Sequence, residues 1–182
     1  MRITENALNI LTAKSYLGIG KAWIIKNLSY QMPLDQLVRK INSGAKIQEP
    51  ITIENFKQTR TEIHEKIKLI AHSIDGVVAI GDDDFPPHRG NVKNGERPIV
   101  LFYRGNLDLL DIERKNVAVI GLLNPDESTE DKERELVKSL VEKKLSVVSG
   151  LALGCDTIAH SQAIRSEGLT IAALPSPIND II

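Results

Sequence analysis

The chain has 182 residues, 42% hydrophobic and 26% charged, enough for one medium domain or two small ones with real cores. A net charge of −1 and a sequence pI near 6.4 exclude a global basic field, so a polyanion site has to be local, made of backbone amides and a few side chains. The single Cys155 excludes an internal disulfide and a CxxC zinc pattern, and no apolar run is long enough to span a membrane; the start at Met1 does not read as a signal peptide, so the expected setting is cytoplasmic.

The first part of the chain is helical in period. Apolar residues recur at helical spacing in NALNILTAKSYLGIGKAWIIKNL (6–28), PLDQLVRKI (33–41) and ITIENFKQTRTEIHEKIKLIAHSI (51–74). The GIG turn, Gly18 to Gly20, has the look of a helix-hairpin-helix whose amides face a DNA phosphate, with Lys14, Lys21 and Lys26 flanking it. A packing turn with a solvated lysine face is the more ordinary reading. His64 and His72, placed eight residues apart on one long helix, give no i, i+4 metal pair, so no metal is expected.

Near residue 75 the period changes. Short β-rich runs follow: GVVAIG (76–81), PIVLFYRG (98–105), NVAVIGLL (116–123), LSVVSG (145–150) and LTIAAL (169–174). Helical segments lie near 126–144 and 156–167. From residue 116 the order is β-α-β-α-β, which predicts adjacent parallel strands with helices on both faces and right-handed crossovers. The expected division is a helical domain over 1–73 and an α/β domain over 74–182. Residues 82–98 form a long Pro, Gly and charge-rich connection. The acids Asp82 to Asp84, and Glu133 with Glu135, read as solvated charge rather than as an acid–base pair.

Two glycine turns close neighbouring parallel strands, the place where open α/β sheets bind ligands. Neither is a GxGxxG or a P-loop, so no cofactor is indicated. After Gly121, the run Asn124, Pro125, Asp126, Glu127 reads as cap, first helical position and acidic first turn, which fills the positive end of the helix with the chain's own charge. The better phosphate seat is therefore expected at Ser149, Gly150, Gly154 and Asp156. Cys155 reads as a small buried side chain, and His160 as either sheet cover or a ligand.

The runs VAVIG, VVSGLALGCDTIAH and GLTIAAL, with DDDFPPHRG and RPIVLFYRGNLDLL upstream, resemble the DNA-processing protein A (DprA/Smf) family, with its VAIVGSR, VVSGLARGID and PPxLFxxGN stretches. The resemblance covers the chain in order. It implies a helical N-terminal domain (SAM or helix-hairpin-helix-like) followed by a partial Rossmann-like domain, a fragment of a longer protein. It also implies a non-enzymatic protein that binds single-stranded DNA, dimerises in full-length form and assists loading of a RecA-type recombinase in DNA uptake. The site residues carried over are Gly121, Ser149, Gly150, Gly154, Asp156 and His160, with Arg104 and Asn106. Where the family has Ser and Arg after the first glycine this chain has Leu122 and Leu123, and Leu153 stands for a second arginine, which predicts weaker DNA binding. The alternative on the same fold is a nucleotide or small-phosphate sensor.

Overall fold

The computed structural model describes residues 1–88 and 90–178. Arg89 in the long connection, and residues 179–182 at the end of the PSPIND stretch, lie outside the described residues. The described residues form two compact units, one of residues 1–105 and one that begins at residue 106. The compact units thus part after Gly105, beyond the period change near residue 75.

The reason lies in a strand too short to show a period. In the first unit β1 (Arg2–Ile3) is followed by α1 (Glu5–Ser15), α2 (Lys21–Asn27), α3 (Leu34–Gly44) and α4 (Ile53–Lys68). Then come β2 (Gly76–Ala79) and β3 (Val100–Tyr103). β1 pairs in parallel with β2, and β2 runs antiparallel to β3, so the helical segment and the first two predicted strands share one sheet. Thr4 starts α1 by accepting from the Ala7 amide at 2.9 Å. Its hydroxyl donates to Asp82 at 2.5 Å. Asp82 also accepts from the Ala79 amide at 2.8 Å and from Gln31 at 3.3 Å. The acid expected in solvent is therefore buried and ties three segments together, since a buried carboxylate stays only where donors surround it. Phe56, Ile10, Ile24, Ile41, Val77 and Val78 fill the core of this unit, and Tyr16 stacks on Phe56 with centroids 6.0 Å apart. α4 ends at Lys68, so His72 does not share a helix with His64.

The second unit opens with a 3-10 turn, Leu107–Leu110. It continues through β4 (Asn116–Ala118), α5 (Glu127–Glu142), β5 (Ser146–Ser149), α6 (Cys155–Arg165) and β6 (Thr170–Ala172). The three strands are parallel in the order β4-β5-β6, with Val117 opposite Val147 and Val148 opposite Ile171. This is the predicted β-α-β-α-β unit. Both crossovers step the same way along the sheet, so α5 and α6 lie on one face and pack on each other; the expectation of helices on both faces is met on one within this unit. Val119, Val137, Val147, Ala159 and Ala163 form the core between them, with Leu140 and Val141 packed alongside. The cap of α5 is Asp126, not Asn124: its carboxylate accepts from the Thr129 amide at 2.8 Å, and Pro125 keeps Asn124 out of the helix. Thr129 holds the Asp126 carboxyl below its usual pKa.

Candidate nucleic-acid interface

The parallel unit sets its two glycine turns side by side at the C-terminal ends of β4 and β5. Gly154 lies under the carbonyls of Leu122 and Leu123: a Cβ built on it would stand 2.3 Å from each oxygen. Its φ of 74° and ψ of −127° belong to a region that side chains avoid. The Cys155 amide, first in α6, donates to the Leu122 carbonyl at 3.0 Å. The Asp156 carboxylate turns back to accept from the amides of Gly150 at 3.1 Å and Ala152 at 3.2 Å. Amides that the sequence offers to a phosphate are thus engaged by the chain's own carbonyl and carboxylate, and the carboxylate adds a charge that repels an anion.

The same carboxylate brackets a strained residue. Leu151, between the two amides, has φ of 61°, which costs a side-chain-bearing residue about 1–2 kcal/mol. Nothing in the sequence marks a leucine for that conformation.

Other residues expected in the site also serve the fold. The Ser149 hydroxyl is buried and donates to the Val119 carbonyl at 2.7 Å, fastening β5 to the end of β4. Gly121 packs on Cys155, whose Sγ would lie 2.6 Å from a Cβ there. Arg104 is exposed and falls in the first compact unit. Asn106, in the second, accepts from the Asp108 amide at 2.8 Å to start the 3-10 turn. That turn is bound through the Leu109 carbonyl to Asn116 at the N-terminal start of β4, the opposite end from Gly121. The structure therefore brings together Gly121, Ser149, Gly150, Gly154 and Asp156; Asn106 lies at the other end of the parallel unit, and Arg104 belongs to the first unit.

His160 is spent on the sheet. Thr170 Oγ1 donates to the Val147 carbonyl at 3.1 Å, so it accepts from His160 Nδ1 at 2.6 Å, which assigns the proton to Nδ1 and leaves Nε2 buried without a hydrogen-bond partner among the described residues. Burial holds the His160 pKa below its usual value, opposed in part by Asp156. A histidine whose folded pKa lies below its unfolded value contributes stability that is complete above the unfolded pKa and is lost as pH falls through the window between the two. The midpoint of thermal unfolding should therefore drop from pH 7.5 towards pH 5.5, and drop less in His160→Gln; equal pH dependence in the two proteins would remove His160 from this role.

Glu133, expected in solvent, is buried on α5 beside Cys155, yet neither oxygen reaches hydrogen-bonding geometry with a protein group among the described residues. Its carboxylate, and burial after it, raises the Cys155 pKa. The thiol is buried and stays protonated, the reverse of a reactive helix-start cysteine. Among the described residues no three His, Cys, Asp or Glu side chains gather as metal ligands, and no helix is long and apolar enough to cross a membrane.

Charge is divided between the units. Residues 1–105 hold 15 Lys and Arg against 11 Asp and Glu, a net of +4, and residues 106–182 hold 8 against 13, a net of −5. No Lys or Arg occurs from 116 to 131 or from 145 to 164, so both glycine turns lack cations of their own.

Comparison with known proteins places this geometry in a family context. The model of the family described as DNA recombination-mediator protein A matches residues 76–182. A DNA processing protein DprA of Streptococcus pneumoniae is 38% identical over 96 residues, 53% of this chain and 32% of the relative. The DprA of Bacillus subtilis is 35% identical over 77 residues, 42% of this chain and 26% of the relative. A protein Smf of Escherichia coli is 24% identical over 178 residues, 98% of this chain and 46% of its own length. The chain thus spans less than half the length of these curated relatives. The X-ray structure of DNA processing protein A from S. pneumoniae aligns with 96% of this chain and 58% of its own, at 27% identity and a TM-score of 0.62.

Proposed function

Because the chain belongs to the DNA recombination-mediator protein A family, we propose that it takes part in DNA processing by holding single-stranded DNA for a recombinase, with its phosphate contacts made by the lysines around the turn of residues 16–20. No catalytic step belongs to this reading. The observation that carries it is the division of charge: the glycine turns are filled from within and cation-free, while the first unit is cationic.

Around that turn the lysines are free to act. Lys14, at the end of α1, and Lys21, at the start of α2, are exposed and make no ion pair among the described residues. Gly18, with φ of 93°, comes so near the Lys46 carbonyl that a Cβ would stand 2.0 Å from it, which brings the exposed Lys46 to the same turn. Residues Lys14 to Gly20 line an open cleft. Arg104, exposed on the same unit, is a further contact, and Lys26 lies one helix length on. A RecA-type recombinase as partner and a homodimer in the full-length form belong to the same proposal.

Titration of oligo-dT at two salt concentrations tests it. Each phosphate neutralised on a single strand contributes about 0.7 to the slope of log affinity against log salt. Lys14→Ala/Lys21→Ala/Lys46→Ala should weaken binding and flatten that slope by about 2. An unchanged slope would move the DNA elsewhere, and mononucleotides binding as tightly as oligo-dT would favour a nucleotide sensor.

A further inference from the structure

The C-terminal rim of the parallel unit is apolar where a phosphate site would be cationic. Leu122 and Leu123 are 61% and 63% exposed, Leu153 is 77% exposed and Leu151 is 42% exposed. These are not scattered side chains. The Leu122 carbonyl takes the Cys155 amide, and Gly154 packs under Leu122 and Leu123, so the two turns present their leucines next to one another. The loop that carries Leu151 and Leu153 is held in a strained form by Asp156. Contiguous exposed apolar side chains of this kind mark an interaction surface.

Charge selects the occupant. Beside the rim, α5 begins with Asp126 and Glu127, and its first turns present a shallow cleft lined by Glu127, Asp131 and Glu135 with a single Lys132. The whole unit is net acidic, and its helix starts add Asp156. Nucleic acid and anionic lipid are repelled by such a border, whereas a segment with an apolar stripe and basic flanks complements both the leucines and the acids. We propose that the rim formed by Leu122, Leu123, Leu151 and Leu153 docks a cationic amphipathic segment of a partner protein, its apolar face on the leucines and its basic residues towards Glu127 and Asp131.

The test uses the whole chain and two labelled helical peptides of equal length, one built from Leu and Lys, the other from Leu and Glu, followed by fluorescence anisotropy. The Leu–Lys peptide should bind and the Leu–Glu peptide should not. Leu122→Ser/Leu153→Ser removes apolar contact without changing charge and should weaken the Leu–Lys peptide by roughly tenfold or more. Glu127→Gln/Asp131→Asn should weaken it and reduce its salt dependence. All four side chains are exposed, so the variants keep the fold, which circular dichroism checks, and oligo-dT binding stays as in the parent. Unchanged peptide affinity in the leucine variant, or equal binding of the Leu–Glu peptide, would overturn the proposal. So would self-association of the parent chain that the leucine variant abolishes, since the rim would then receive a second copy.

Discussion

Gly154→Ala is expected to lower the stability of the parallel unit by about 4 kcal/mol, a large share of what a domain of this size possesses. Two causes add. The φ of 74° with ψ of −127° is sparsely populated by any residue with a Cβ, at about 1–3 kcal/mol. The new methyl would also stand 2.3 Å from two backbone oxygens, of Leu122 and Leu123, which no rotamer change can relieve. Moving the Leu122 carbonyl away breaks its bond to the Cys155 amide and leaves a helix-start donor without an acceptor. Urea unfolding followed by circular dichroism should show a lower midpoint, whereas Gly95→Ala, whose Cβ meets nothing, should stay within about 0.5 kcal/mol of the parent. Equal midpoints for Gly154→Ala and the parent would mean that the two turns are not packed as described.

Asp156→Ala comes next, at about 3 kcal/mol. The carboxylate holds two amides, Gly150 and Ala152, and hydrogen bonds to a charged group contribute about 1.5–3 kcal/mol apiece when well sheltered, less here because the loop is partly exposed. It also supplies the negative charge of the first turn of α6, worth about 0.3–1 kcal/mol. Part of that stabilisation is used to hold Leu151 at φ of 61°. In the Asp156→Ala background Leu151→Gly should therefore behave differently from Leu151→Gly alone, since relief of strain matters most while the bracket is present. A double-mutant cycle in urea gives the coupling. Strict additivity would show that Asp156 does not hold the loop.

The parallel unit was legible because its strands are short valine-rich apolar runs, such as Val117 to Val119 and Val147 to Val148, separated by helices with clear start signals. The order of α5, β5, α6 and β6 follows from that pattern alone. Hidden features depend on partners distant in sequence. β1 has two residues, too few for any period, yet its pairing with β2 carries the first predicted strands into the helical unit. Asp82 looks like one acid in a run of three, and only the fold brings Thr4 and Gln31 to it. Glu133 was within reach of the period: Glu133, Val137, Leu140 and Val141 share one helical stripe, so its side chain faces the core although its neighbours are charged.

The candidate site shows the same limit. Glycines, a helix start and an acid at the first turn could be read from the residues, and so could the leucines standing where the family has Ser and Arg. Which acceptor satisfies which amide could not, because Asp156 serves a phosphate seat if it points outward and fills that seat if it points back. The observed bonds to Gly150 and Ala152 show the carboxylate turned back onto its own loop.

Amide hydrogen exchange of the whole chain with and without oligo-dT, resolved by residue, tests this assignment most directly. Protection is expected around Tyr16 to Lys21 and at Lys46, with no change from Gly150 to Asp156. Protection confined to Gly150–Asp156 and Gly121–Leu123, with none around the lysine-flanked turn, would contradict it.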